Sequence, residues 1–276
     1  MNNGIAIPKL AFGLYKIPVD GEQIILDAIE AGYRHFDTAV YYGNESTLGN
    51  AIIMSGLPRS DFFICTKVWN DDQINRTVRE SVQGSLKRLK MEYIDLCLIH
   101  WPVPGHYIET YKVLQEMVHP QDCGKIRSLG LSNFSPSEYI ELMAAGNDIT
   151  VQPVVNQMEV SPFMYRPDIV DFFQAQGLVV SSSKALHRGE KFDHVVLEQL
   201  SQQYHMTPAQ LMIQWGLQKG LVVVAKTSHK LRMIENRETF TNNVLQESDV
   251  CLLDECTTAE EICLRDELER QRKASM

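Results

Sequence analysis

None of the six cysteines, at positions 65, 97, 123, 251, 256 and 263, forms a Cys-x-x-Cys pair, and no histidine pairing accompanies them at zinc spacing. The spacing therefore offers neither a zinc site nor a disulfide framework, and no bound metal is expected. The thiols read as free, in a reducing compartment, with Cys65 and Cys97 packed as small hydrophobes in apolar strands. No run of about 18 apolar residues occurs, which excludes a membrane-spanning helix from the expected elements. The opening Met1-Asn2-Asn3-Gly4 has neither a basic nor an apolar signal region, so no signal peptide is expected and a cytoplasmic location is. Basic residues are outnumbered, 26 against 35 acidic; the net charge of −9 argues against nucleic acid and anionic membranes as partners. No Gly-x-Gly-x-x-Gly follows any apolar run, so a Rossmann-type site is not indicated. Pro-rich, Ser-rich and low-complexity stretches are missing too, and residues 1–276 read as a single domain.

What the chain has is alternation. Its 44% apolar content is enough to fill a sizeable core, and it falls in short runs separated by helical patterns. Residues 5–10 read as an arm of a short N-terminal hairpin. Strands are expected at 11–16, 35–37, 62–69, 93–100, 126–131, 154–157, 178–183 and 221–226. Helices are expected at 21–31, 44–55, after Asp71-Asp72 through Leu89, at 107–118, from Pro136 after a Ser135 cap, and at 167–176, 195–204, 208–219 and 231–237. The run 62–69 is apolar enough to be buried on both faces, as in a parallel sheet. Eight strand–helix repeats imply an α/β fold closed as a (β/α)8 TIM barrel. After Phe240 the rhythm stops, and the charged stretch 260–273 reads as a solvated C-terminal helical tail.

One stretch, residues 32–45, runs Gly-Tyr-Arg-His-Phe-Asp-Thr-Ala-Val-Tyr-Tyr-Gly-Asn-Glu. Asp37 ends a strand, Tyr41 and Tyr42 follow, Asn44 suits a helix N-cap and Glu45 complements the positive helix end. A strand-end Asp with a phenol a few residues on can serve a reacting carbonyl; it can equally be a cap beside two packing tyrosines. The stretch resembles the signature of the aldo-keto reductase family. Gly124-Lys125-Ile126-Arg127-Ser128-Leu129-Gly130-Leu131-Ser132-Asn133-Phe134 is similar to a second family motif, Asn156-Gln157 with Glu159 to a third, and residues 226–236, beginning Lys-Thr-Ser-His-Lys, to a fourth. The likeness runs from about Asn3 to Asn236, and the four motifs in order are far more specific than Ser-Asn-Phe alone.

In such barrels reactive groups sit at the C-terminal strand ends. Asp37, Tyr42, Lys67 and His100 fall at or just after successive strand ends. Singly, Lys67 can be a surface lysine and His100 a core histidine bonded to backbone; together they match the family's catalytic tetrad. The resemblance implies carbonyl reduction by hydride from a nicotinamide cofactor. The alkoxide then needs a proton, and a free phenol with a pKa of about 10 is a poor acid at neutral pH. Lys67 is expected to lower the Tyr42 pKa, Asp37 to hold Lys67, and neutral His100 to orient the carbonyl oxygen. Relatives that reduce steroid double bonds carry Glu in place of this His, so His100 points to carbonyls.

The resemblance also implies an NADPH/NADP+ site. Gly13, Leu14, Tyr15 and Asp37 would lie along it, with Ser132, Asn133 and Gln157 on the nicotinamide carboxamide. Lys226, Thr227 and Arg232 would take the 2′-phosphate, Glu235 and Asn236 the adenine, and Ser228 would also lie against the cofactor. Lys226 and Arg232 have a plainer reading as solvated helix residues. Ser183, Lys184 and Leu186 belong to a segment that departs from the family: Ser183 stands where an aromatic usually stacks on the nicotinamide, and Ala225 replaces a common proline. Tyr41, Trp69, His100 and Trp101 would line the substrate pocket, although the three aromatics suit ordinary loop packing equally. The expected partner is a small-molecule carbonyl bound to a monomer or weak dimer. Three functions compete at this level: an NADPH-dependent aldehyde or ketone reductase, a cofactor-binding regulatory barrel like the potassium-channel β subunits with little turnover, and an unrelated barrel hydrolase or isomerase using Asp37 and His100.

Overall fold

The computed structural model describes residues 1–118, 124–239 and 244–276. Cys123 and Phe240 lie outside the described residues. The strands are β1 (Leu10–Gly13), β2 (His35–Asp37), β3 (Phe63–Val68), β4 (Leu96–Ile99), β5 (Leu129–Ser132), β6 (Val155–Glu159), β7 (Val179–Ser183) and β8 (Val222–Ala225). They pair in parallel in sequence order, and β1 closes the ring on β8. The TIM barrel expected from the alternation is present. Parallel strands inside a ring of helices bury both faces, which is why all six residues of β3 are buried.

The connecting helices are α1 (Glu22–Glu30), α2 (Glu45–Met54), α3 (Asn70–Ile74), α4 (Val78–Leu89), α5 (Tyr107–Glu116), α6 (Pro136–Ala144), α7 (Pro167–Ala175), α8 (Val195–Tyr204), α9 (Pro208–Gln218) and α10 (Lys230–Glu238). Ser135 caps α6 in a reciprocal box with Glu138, and Pro136 opens it, as the sequence suggests. The main core lies between strands and helices, around Phe12, Phe36, Ile64, Leu131 and Trp215.

Four features differ from the sequence expectation. No strand precedes Leu10, so the N-terminal hairpin does not form. Instead Met1, Ile5 and Ile7 pack on Phe63, Cys65, Leu96 and Val155, plugging the end of the barrel where the strands begin. Asn2 and Asn3 tie that segment to the Pro153 carbonyl at 3.1 Å and to Ser128 at 3.0 Å. The long helix expected after Asp71-Asp72 through Leu89 instead takes in both aspartates and is broken between α3 and α4, where Arg76 has φ of 59°. Asp72 explains the break: its carboxylate accepts from Thr77 at 3.3 Å and Ser81 at 2.7 Å, local bonds that compete with a continuous helix.

Beyond the barrel, α11 (Glu247–Asp254) was not legible in the sequence; it docks through Leu253 and the Trp215 indole, which donates to Asp254 at 2.7 Å. The charged tail forms the expected helix, α12 (Ala259–Ala274), but it is not solvated all round. Arg265 is only 8% exposed, and α12 is ion-paired to the barrel along its length.

Candidate active site

The site is assembled where β2, β3 and β4 end. Asp37 is the last residue of β2, and a short turn from Val40 to Tyr42 follows it. Gly43 closes that turn at φ of 70°, a conformation that side chains disfavour. Asn44 holds the turn differently from the expected N-cap. Its side chain makes no cap hydrogen bond; it is fully buried, donates to the Leu14 and Ile17 carbonyls at 2.9 and 3.0 Å, and accepts from Thr38 at 2.9 Å. Glu45 is likewise buried, accepting from Thr66 at 2.6 Å and from Arg88 at 2.8 Å. The Tyr42 loop is thereby tied to β1, β3 and α4.

Lys67 projects from β3 into this framework with its side chain 0% exposed. Its ammonium donates to Asp37 Oδ1 at 2.7 Å and the Thr38 carbonyl at 2.8 Å, and lies 3.5 Å from the Tyr42 hydroxyl. Burial works against the charge, but the Asp37 carboxylate and the Tyr42 phenol outweigh it and hold the Lys67 pKa above its ordinary range. Lys67 is therefore an ammonium at neutral pH. Tyr42 differs from expectation: burial pushes its pKa up, and the pull of Lys67 only partly offsets that. The phenol stays protonated, ready as a donor, and the ammonium's effect falls on the phenolate left after donation.

His100 follows β4 directly. Its Nδ1 is buried without a hydrogen-bond partner, so the ring is not anchored to backbone through that atom. Burial, then the charges of Lys67 and Arg272, depress its pKa well below the usual imidazole value, so the ring is neutral. Ring centroids of His100 and Tyr42 are 5.8 Å apart. Trp69 lies 5.0 Å from His100 and stacks at 4.0 Å on Tyr41, which is 55% exposed. Trp101 is nearly buried behind them. The structure brings all four tetrad residues and these aromatics to one rim.

The remaining nominated residues ring the same C-terminal face. Gly13 ends β1 with Leu14 buried and Tyr15 exposed, its ring 5.1 Å from that of Tyr42. Ser132 ends β5 in register with Gln157 of β6. Asn133, at φ of 60°, donates to the His100 carbonyl at 3.0 Å. Gln157 donates to Asp37 Oδ2 at 2.8 Å, a second clamp on that carboxylate. Ser183 ends β7, Lys184 pairs with Glu159, and Leu186 is half-buried. At the β8–α10 junction Lys226, Ser228 and Arg232 are exposed, and Thr227 is nearly buried. Lys226 and Arg232 make no ion pair among the described residues, in a chain of net charge −9. Two unmatched cations flanking two hydroxyls suit a phosphate dianion. Glu235 accepts from Thr207 at 2.7 Å, and Asn236 is buried with Oδ1 unpartnered, so neither stands open to solvent as Arg232 does.

Sequence reasoning did not single out Thr38, Thr66, Arg265 or Arg272. Asn44 and Glu45 carried a signal in their adjacency to Tyr42, but it was read as helix capping. Arg265 and Arg272 were hidden in a run of charge.

A protonated phenol backed by a buried ammonium, at the C-terminal rim of a parallel barrel, is an arrangement able to deliver a proton to a reacting group. Comparison with known proteins narrows that class. Residues 15–258 match the model of the aldo/keto reductase family. A glyoxal reductase of Bacillus subtilis is 35% identical over 249 residues, covering 90% of this chain and 88% of that protein. A methylglyoxal reductase of Escherichia coli O157:H7 is 38% identical over 247 residues, covering 87% and 86%. The structure of an aldose reductase from Schistosoma japonicum superposes with a TM-score of 0.86 at 29% identity, covering 94% of this chain and 92% of that one. The chain belongs to the aldo/keto reductase family, a family of oxidoreductases.

Proposed function

We propose that the protein reduces aldehydes or ketones to alcohols with NADPH, with Tyr42 as the general acid. The observation that carries this is the buried Lys67 ammonium held between Asp37 at 2.7 Å and the Tyr42 hydroxyl at 3.5 Å. NADPH, when bound, supplies the hydride for the carbonyl carbon. His100, neutral, orients the carbonyl oxygen beside Tyr42, and Tyr42 Oη gives its proton to that oxygen as negative charge develops. Lys67 stabilises the resulting phenolate, while Asp37 and Gln157 hold Lys67 and one another in place. In this reading Ser132, Asn133 and Gln157 would hold the carboxamide, and Lys226, Thr227 and Arg232 the 2′-phosphate; the exposure of Lys226 and Arg232 supports it.

Relatives described as glyoxal and methylglyoxal reductases favour small, reactive aldehydes as the first substrates to try. One observation favours a second reading. Ser183 ends β7 where the family pattern leads one to expect an aromatic, which suits a barrel that binds cofactor but turns over slowly. Following NADPH oxidation over a panel of aldehydes and ketones separates the two. Rapid oxidation that is lost in Tyr42→Phe supports the reductase; cofactor binding without oxidation on any carbonyl supports the regulatory barrel.

A further inference from the structure

Helix α12 crosses the C-terminal rim of the barrel, and its ion pairs trace the path. Glu261, near its start, pairs with Lys191 beyond β7 at 2.8 Å. Arg265 reaches Glu159 at the end of β6 at 2.7 Å, and Asp266 meets Arg166 at 2.8 Å. Lys273, in the last turn, pairs with Glu138 beyond β5 at 2.6 Å. Between these anchors Arg272 lies against the aromatic residues at the end of β4. Its guanidinium carbon lies 5.1 Å from the ring centroid of Trp101, the residue after His100.

Arg265 and Lys273 each have a carboxylate partner; Arg272 has none among the described residues, although the chain carries a net charge of −9. A cation in the last helical turn complements the helix dipole anywhere around the helix. That does not account for its being laid on Trp101, nor for its charge being felt at the buried His100 ring. The wall from Tyr41 through Trp69 and His100 to Trp101 is aromatic, and Arg272 gives it a cationic end.

We propose that Arg272 is a specificity-determining residue that selects carbonyl substrates carrying a carboxylate remote from the reacting carbon. This rests on the reductase reading of the same site. The carbonyl lies at Tyr42 and His100, the apolar spacer lies along Trp69, and the carboxylate pairs with the guanidinium held over Trp101. Arg suits this role because its planar fork meets a carboxylate through two parallel hydrogen bonds. Trp101 covers one face of the guanidinium and favours the charge there.

The test uses para-carboxybenzaldehyde and para-nitrobenzaldehyde, alike in shape and different in charge, with the parent, Arg272→Gln and Arg272→Lys. Arg272→Gln raises the KM for the carboxylate about tenfold, the loss of one charge-assisted contact. It leaves kcat for that substrate, and all constants for the nitro compound, unchanged; Arg272→Lys restores part of the loss. Equal effects on both aldehydes, or none, overturn the proposal. Binding of benzoate and of benzamide, read from tryptophan fluorescence, gives an answer that needs no turnover: benzoate must lose about tenfold in Arg272→Gln and benzamide nothing. Benzoate binding that depends on Arg272 without reduction of any aldehyde is a failure of the reductase reading alone. Reduction of the nitro compound with no charge preference is a failure of this inference alone.

Discussion

Replacing Lys67 by Met tests whether the tetrad is a true buried ion pair. The Lys67 side chain is 0% exposed and Asp37 is 5% exposed, so the substitution strands a carboxylate away from water. Breaking a buried pair from one side typically costs about 3–5 kcal/mol, because the remaining charge is uncompensated. Gln157 still donates to Asp37 at 2.8 Å, which places the expected loss toward the lower end, about 3 kcal/mol. Against a total stability on the order of 5–15 kcal/mol the variant should still fold. Urea unfolding measures the loss directly. The double variant Asp37→Asn with Lys67→Met removes both charges and should recover more than half of it, because the pair's own attraction is largely offset by desolvation. A single-variant loss under about 1 kcal/mol, the range of exposed pairs, would refute the reasoning. The pH dependence follows from the same geometry. The folded pKa of Lys67 lies above the ordinary 10.5, so its contribution is fully present below that value and is lost as pH rises through the folded pKa. A stability profile that declines from neutrality toward pH 9 on account of Lys67 would contradict this sign.

Three other outcomes are expected. Tyr42→Phe should cut kcat by about 10²–10⁴-fold and leave NADPH binding nearly intact. Tyr41→Phe, at a ring stacked on Trp69 rather than beside Lys67, should keep most activity, and steady-state rates for the two variants decide between them. Arg232→Ala should weaken NADPH by about tenfold and scarcely change NADH, which lacks the 2′-phosphate; equal losses in titrations of both cofactors would place Arg232 elsewhere. Glu159 is pushed up by burial but held lower overall by Arg265 and Lys184, so its contribution to docking α12 is present above about 4.5 and fades as pH falls through the folded pKa. Amide exchange in α12 should therefore rise in acid before the barrel unfolds, and uniform exchange across both would count against docking through Glu159.

The barrel was legible because parallel strands bury both faces and so appear as unbroken apolar runs between amphipathic helices. Strand limits were less so, because hydrogen bonding stops before apolar character does. The run 93–100 is one example: β4 proper is Leu96–Ile99, and Ile94 makes only an isolated bridge to Ile126. The tetrad's order was readable from strand ends alone. Its electrostatics were not, since the balance between burial and Lys67 at Tyr42 depends on how far the phenol is withdrawn from water. Local sequence also misled at Asn44, whose type suits a cap while its side chain is spent across the barrel on Leu14 and Ile17.

The C-terminal helix shows why a charge run resists reading. Charged residues on a helix are ordinarily the solvated face, and α12 has no apolar stripe of the usual kind to announce a buried side. What docks it is complementarity with charges a hundred or more residues away in sequence, Arg166 with Asp266 and Lys273 with Glu138 among them. Glu159 and Glu138 belong to stretches whose local roles, a motif residue and a capping box, already account for them. Only the closed barrel places those carboxylates on one rim, in register with basic residues along α12. The same geometry that lays the helix over the rim leaves Arg272 against Trp101 with no carboxylate partner among the described residues. A charge run on an acidic protein is therefore better judged by which of its members remain unmatched once the fold is known than by its density.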